Sequence, residues 1–129
     1  DIIIDTSALV AVILGEPEKE RIIELTAGHT LIGPGSILWE IGNAFSALFK
    51  KGHLSLDEAR QGIAIFEEIP IRYLKPDLGN TLAIAQQLNL YAYDAYFLDS
   101  AIRYNAPLLT LDRQLMTAAK NLNVVAWEV

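Results

Sequence analysis

Four carboxylates stand where an α/β chain presents its chemistry. Asp5 closes the β-branched run of "DIIIDTSALV", Glu40 falls in the first turns of an apolar helix after Pro34, Asp94 opens a helix in "YDAYFLDSAIRY", and Asp112 follows the strand-like "PLLTL". In open parallel sheets the functional crevice lies beyond the carboxyl ends of the strands, so these residues, far apart in sequence, are expected to converge on one rim. Two unit charges about 4 Å apart repel by about 4 kcal/mol at an effective dielectric of about 20. A bound cation makes such a cluster tolerable. Oxygen ligands, with no cysteine and no pair of histidines at ligand spacing, select Mg²⁺ or Mn²⁺ over zinc or copper. An ion of that kind lowers the pKa of a bound water and clamps the oxygens of a phosphodiester, which is nuclease chemistry.

Each residue taken alone also has a plainer role. Asp5, Asp94 and Asp112 could each cap the helix that follows, although Thr6 and Ser7 offer caps beside Asp5. Thr110 lies two residues before Asp112 on the same strand face and could hydrogen-bond beside it. Glu40 has Ile37, Trp39 and Ile41 as helical neighbours, so it sits beside the apolar stripe and wants a partner there. Asp99 is about 140° around the helix from Asp94 and is read as a surface residue paired with Arg103 at i,i+4. His29 and His53 read as surface residues. Trp39, Tyr91, Tyr93, Tyr96 and Phe97 read as core or interface rather than as a platform for stacked bases.

Composition narrows the class. A chain of 129 residues fits one domain, 1–129, and its hydrophobic fraction of 52% favours strands buried on both faces. No stretch approaches the ~20 apolar residues of a membrane-spanning helix, and a cytoplasmic location is the expectation. Absence of cysteine removes disulfide scaffolds, thiol catalysis and thiolate zinc sites. The formal charge of −6 argues against broad electrostatic adhesion to nucleic acid or anionic membrane, so a phosphate-bearing substrate needs a metal or a local basic group. Lys50, Lys51, Arg103, Arg113 and Lys120 are available for the latter.

The elements that must position these residues alternate. Ile2 to Ile4 form a strand, followed by a helix from about Ala8 to Leu14 and a second with Pro17 in its first turn, ending at Gly28. "TLIG" is a strand. Ser36 caps a helix with Ile37, Leu38, Ile41, Phe45, Leu48 and Phe49 at three-and-four spacing, and "SLDE" at Ser55 has the form of a capping box opening a helix that Pro70 ends. "IRYL" is a third strand, "LGNTLAIAQQLNL" a helix with Leu78, Leu82, Ile84, Ala85 and Leu88 inward, and the Asp94 helix follows until Asn105 and Pro107. "PLLTL", a short helix from Arg113 to Asn121 and "VVAWEV" close the chain. This order predicts a three-layer α/β/α sandwich with a mainly parallel central sheet.

With those motifs in place, the chain resembles the PIN domain family, and more closely the VapC-type toxins of prokaryotic type II toxin–antitoxin pairs. "IIIDTSAL" resembles the family's opening strand and first acidic residue, and "LWEIGNAF" its Glu with an Asn three residues on. "YDAYFLDSA" resembles its third acidic position, and "LLTLDRQL" its Thr-x-Asp ending. The resemblance covers nearly the whole length and implies a PIN-like nuclease domain with metal-dependent ribonuclease activity. Asp5, Glu40, Asp94 and Asp112 would be its catalytic residues and its direct or water-mediated Mg²⁺ or Mn²⁺ ligands. Thr6, Ser7, Asn43 and Thr110 would be supporting polar residues and Arg113 a phosphate contact. It further implies an RNA substrate, a cognate antitoxin that blocks the site, and a homodimer. Leu115 stands where some relatives carry an additional acidic residue.

Other readings fit less well. A phospho-acceptor receiver domain wants an acidic pair after its first strand and a Lys on a late strand, and neither is present; haloacid-dehalogenase phosphatases want Asp-x-Asp where this chain has Asp5-Thr6-Ser7. A housekeeping RNA-processing PIN nuclease and a non-catalytic PIN-like binding module stay open as alternatives.

Overall fold

The sheet is built from very short strands, apolar except for Arg72 and Tyr73 on an edge strand. In the computed structural model, which describes residues 1–129, the order is β1 (Ile2–Ile4), α1 (Thr6–Ile13), α2 (Lys19–Thr26), β2 (Leu31–Pro34), α3 (Ile37–Lys50) and α4 (Leu56–Glu68). Then follow β3 (Ile71–Leu74), α5 (Leu78–Leu88), α6 (Ala92–Tyr104), β4 (Leu108–Leu109), α7 (Arg113–Asn121) and β5 (Ala126–Trp127). The strands form one sheet in the order β3-β2-β1-β4-β5 with every pair parallel. Ile2, Ile3, Ile4, Ile32, Leu108 and Leu109 are buried, as strands covered on both faces require.

Handedness places the layers. From β1 to β2 to β3 the chain steps one way across the sheet; from β3 it returns over β2 and β1 to β4, then steps on to β5. Right-handed crossovers therefore put α1 to α4 on one face and α5 to α7 on the other. Packing agrees, since α1 touches α2, α3 and α4, whereas α6 touches α5, β1, β2 and β4. The direction of travel reverses between β1 and β4. That reversal is the topological switch point, where an open α/β sheet leaves a crevice at its carboxyl rim.

Several local expectations hold and several shift. Ser55 accepts from Glu58 N while Glu58 accepts from Ser55 N, a complete capping box at the start of α4. Helix α1 starts at Thr6, earlier than expected, because Asp5 is the residue that caps it; α2 starts at Lys19, leaving Pro17 outside. Strands β4 and β5 pair over only two residues each within the longer apolar runs. On α5, Leu78 and Leu82 are exposed, contrary to the inward assignment, while Thr81 and Ile84 are buried. The helix carries two apolar stripes, Leu78–Leu82–Ala85 and Thr81–Ile84–Leu88, and packing against α6 selects the second. Leu38 and Phe49 on α3 are likewise exposed at the margins of its buried stripe of Ile37, Ile41 and Phe45.

Candidate active site

Asp5 sits at the end of β1, at the switch point, and is 4% exposed. Its backbone is extended and its Oδ1 accepts from Ala8 N at 3.0 Å and from the Ser7 hydroxyl at 2.7 Å, so it does cap α1. Its Oδ2 accepts a short hydrogen bond from the Thr110 hydroxyl, which arrives from beyond β4. Thr110 Oγ1 in turn accepts from Asp112 N at 2.9 Å, and Ser7 Oγ accepts from Leu111 N at 3.0 Å. Two hydroxyls thus pin the ends of β1 and β4 together and orient Asp5 from both sides. Burial pushes the Asp5 carboxyl up to about 6; the donors from Thr110, Ala8 and Ser7 oppose that rise, and the charge of Asp112 adds to it.

Asp112 caps α7, its Oδ1 accepting from Gln114 N at 2.9 Å and Leu115 N at 3.2 Å. Asp94 is in the first turn of α6, where Tyr91 holds the cap position and makes no side-chain cap, so Asp94 is not there to end the helix. Burial, then the charge of Asp112, raises the Asp94 carboxyl above its ordinary range. Glu40, in the first turn of α3, is half-buried and is pushed up to about 7 by burial and by the charges of Asp5 and Asp94, against the opposing hydrogen bond from Ser36. Ser36 occupies the N-cap position of α3, as expected, but its hydroxyl donates to Glu40 Oε2 at 3.0 Å and makes no cap bond.

The four carboxylates therefore form a closed ring of repulsion: Asp112 acts on Asp5 and Asp94, and both of these act on Glu40. No basic side chain pairs with any of them; the ion pairs of the molecule are Arg21–Glu24, Arg72–Asp1 and Arg103–Asp99. Thr6 adds a buried hydroxyl beside Glu40 that favours the charged form of its carboxyl. No three acidic or histidine side chains lie close enough together to hold a metal ion by themselves. The donor set, hard oxygens in excess of any counter-charge, fits a divalent cation reached partly through water.

Other site candidates divide. Arg113 is exposed and lines a cleft of about 540 Å³ with Thr110 and Lys120, next to Asp5's partner. Asn43 is one turn past Glu40 on α3 and exposed. Lys50 and Lys51 lie at the far end of α3, about 15 Å along the axis from Glu40. Arg103 is committed elsewhere: it pairs with Asp99 at 3.2 Å and donates to Lys75 O at 3.2 Å.

Asp99 does pair with Arg103, but it is 2% exposed and not on the helix surface. Its carboxylate also accepts from Asp77 N at 3.2 Å, so it ties α6 to the segment between β3 and α5. Charge at a buried position requires such partners. Of the aromatics read as core or interface, Phe97 is core, whereas Trp39, Tyr91 and Tyr93 are exposed. Trp39 and Tyr93 line one cleft, and each stands next to a carboxylate in sequence, Glu40 and Asp94.

The chain matches the model of the PIN domain over residues 2–121. No curated protein matches it in sequence. Among solved structures, PAE2754 from Pyrobaculum aerophilum superposes with a TM-score of 0.74 at 22% identity, covering 98% of this chain and 83% of that one. VapBC2 from Rickettsia felis, solved bound to a DNA fragment from its promoter, gives 0.69 at 17% identity over 98% of this chain and 96% of the other. VapC20 from Mycobacterium tuberculosis, described as a sarcin-ricin loop cleaving toxin, gives 0.64 at 15% identity over 92% and 95%. The match runs from the strand that ends in Asp5 to the helix that Asp112 caps, and the chain belongs to the PIN domain family.

Proposed function

We propose that this protein is a Mg²⁺- or Mn²⁺-dependent endoribonuclease, the toxin of a toxin–antitoxin pair. The observation that carries this is the ring of Asp5, Glu40, Asp94 and Asp112 at the switch point, mutually repelling and without a basic partner. Carboxylates kept at such a cost without a basic partner point to a functional site. The toxin reading draws support from fold relatives described as a cleaving toxin and as a toxin–antitoxin complex. On this reading an antitoxin covers the same rim, the protein works as a homodimer, and its place is the cytoplasm, where its RNA is.

Asp5, Glu40, Asp94 and Asp112 hold the ion, directly or through water. Bound there, it supplies positive charge to the scissile phosphate and acidifies water for attack. Ser7 and Thr110 keep both Asp5 oxygens oriented, and Ser36 does so for one oxygen of Glu40. Asn43 serves as a further polar contact along α3. Arg113, exposed beyond Asp112, meets a backbone phosphate of the strand.

Asp94→Asn tests the reading most directly, because Asp94 caps nothing and its loss spares the fold. The variant should keep the parent's circular dichroism while losing Mn²⁺-dependent RNA cleavage by orders of magnitude, and Mn²⁺ should raise the parent's melting temperature. Cleavage by Asp94→Asn at the parent's rate, or cleavage undiminished by EDTA, would show the site to be wrong.

A further inference from the structure

Where β2 and β3 end and α3 and α6 begin, a cleft of about 410 Å³ has a lining that includes Ser36, Trp39, Leu74, Lys75, Tyr93 and Tyr96. Ser36 links it to the carboxylates. Ser36 holds Glu40 by its hydroxyl, Trp39 precedes Glu40, and Tyr93 precedes Asp94. Trp39 is 65% exposed and Tyr93 49% exposed, and Tyr93 meets Tyr96 edge to face with ring centroids 6.1 Å apart. Leaving a tryptophan this open forfeits much of the stabilisation its burial would bring. Such a cost is incurred at binding surfaces.

We infer that this cleft is a nucleobase subsite, in which an unpaired base of the RNA flanking the scissile phosphate stacks on Trp39 or Tyr93 while Lys75 meets the adjoining phosphate. This rests on the ribonuclease reading and adds to it the means by which the strand is held. A net charge of −6 supplies no broad field to draw RNA in. Affinity must then come from local contacts, and base–aromatic stacking is the one that needs no basic surface. The two clefts divide the work: Arg113 and Lys120 line the one that includes Thr110, the partner of Asp5, and the aromatic rings line the one that includes Ser36, the partner of Glu40. A base paired and stacked in a duplex cannot enter, so the strand must offer an unstacked base.

The test uses Trp39→Leu and Trp39→Phe, at an exposed position outside the carboxylate ring, and short single-stranded oligoribonucleotides. Trp39→Leu should raise KM for cleavage roughly tenfold with kcat within about twofold, while Trp39→Phe stays near the parent. An oligonucleotide abasic beside the cut should erase the difference between parent and Trp39→Leu. Trp39 and Trp127 are the only tryptophans, so in a Trp127→Phe background a single-stranded oligonucleotide should quench the fluorescence of Trp39. Unchanged KM in Trp39→Leu, with cleavage still abolished by Asp94→Asn, would overturn the subsite and leave the ribonuclease reading standing. Quenching without cleavage by the parent would overturn the ribonuclease reading and, with it, the placing of the base beside a scissile phosphate. A Trp39→Leu variant whose oligomeric state changes while its KM does not would assign the face to protein contact and overturn the proposal.

Discussion

Replacing Asp5 by Asn should stabilise the protein at neutral pH while removing its activity. Asp5 is 4% exposed, and its carboxyl lies at about 6 in the folded chain against an ordinary 3.8. Below the lower value both folded and unfolded chains hold the proton, and no penalty arises. Between the two, the folded state binds more protons than the unfolded one, so stability falls as pH rises, and above about 6 the full loss is reached. At 1.36 kcal/mol per pH unit, a gap of about 2 units costs about 3 kcal/mol. Asparagine keeps an oxygen for Ala8 N and Ser7, and its amide can donate to Thr110, but it loses the charge-assisted bonds. A net gain of about 1–3 kcal/mol at about pH 8 is expected, shrinking to nothing below about pH 4. Urea unfolding in EDTA at several pH values, parent beside variant, measures it. If the variant were no more stable than the parent at high pH, and the difference did not change on acidification, the argument that burial of this charge dominates would fail. The same substitution should remove the stabilisation by Mn²⁺, a trade of activity for stability at one atom.

Arg103→Met leaves the buried Asp99 carboxylate with only Asp77 N, and should cost about 2–4 kcal/mol after allowance for the partial exposure of Arg103; unfolding unchanged by the substitution would show the pair to be without consequence. Ser55→Ala removes the hydroxyl that accepts from Glu58 N, leaving only the backbone half of the capping box, and should lower stability by about 1 kcal/mol in urea. Leu82→Gln, on the exposed stripe of α5, should stay within about 0.5 kcal/mol of the parent, whereas Ile84→Ala should cost about 2–4 kcal/mol. Equal losses from those two substitutions would mean that α5 packs on its other face.

Much of the fold was legible because its signals are local. Pro70 ends α4, the Ser55–Glu58 pair starts it, Asn105 closes α6 in a left-handed conformation, and wholly apolar short runs mark strands buried on both sides. The carboxylates were legible for the same reason: each stands at a strand end or a helix start, the positions an α/β sheet directs to one rim. Less legible was whatever depended on a partner element. Leu82 and Ile84 are equally apolar, and only the approach of α6 decides which is buried. Asp99 looked like a surface ion pair until the segment before α5 closed over it.

The sequence by itself determined the elements, their order and the placing of four acidic residues at strand ends and helix starts, since caps, breaks and apolar periodicity act within a few residues along the chain. Tertiary structure decided what required distant segments to meet. Thr110 binds Asp5 across a separation of 105 residues, Asp112 bears on Asp94 from another helix, and Trp39 and Tyr93 border one cleft from two helices. Such contacts arise when the crossovers bring β1 beside β4, and no periodicity along the chain encodes them.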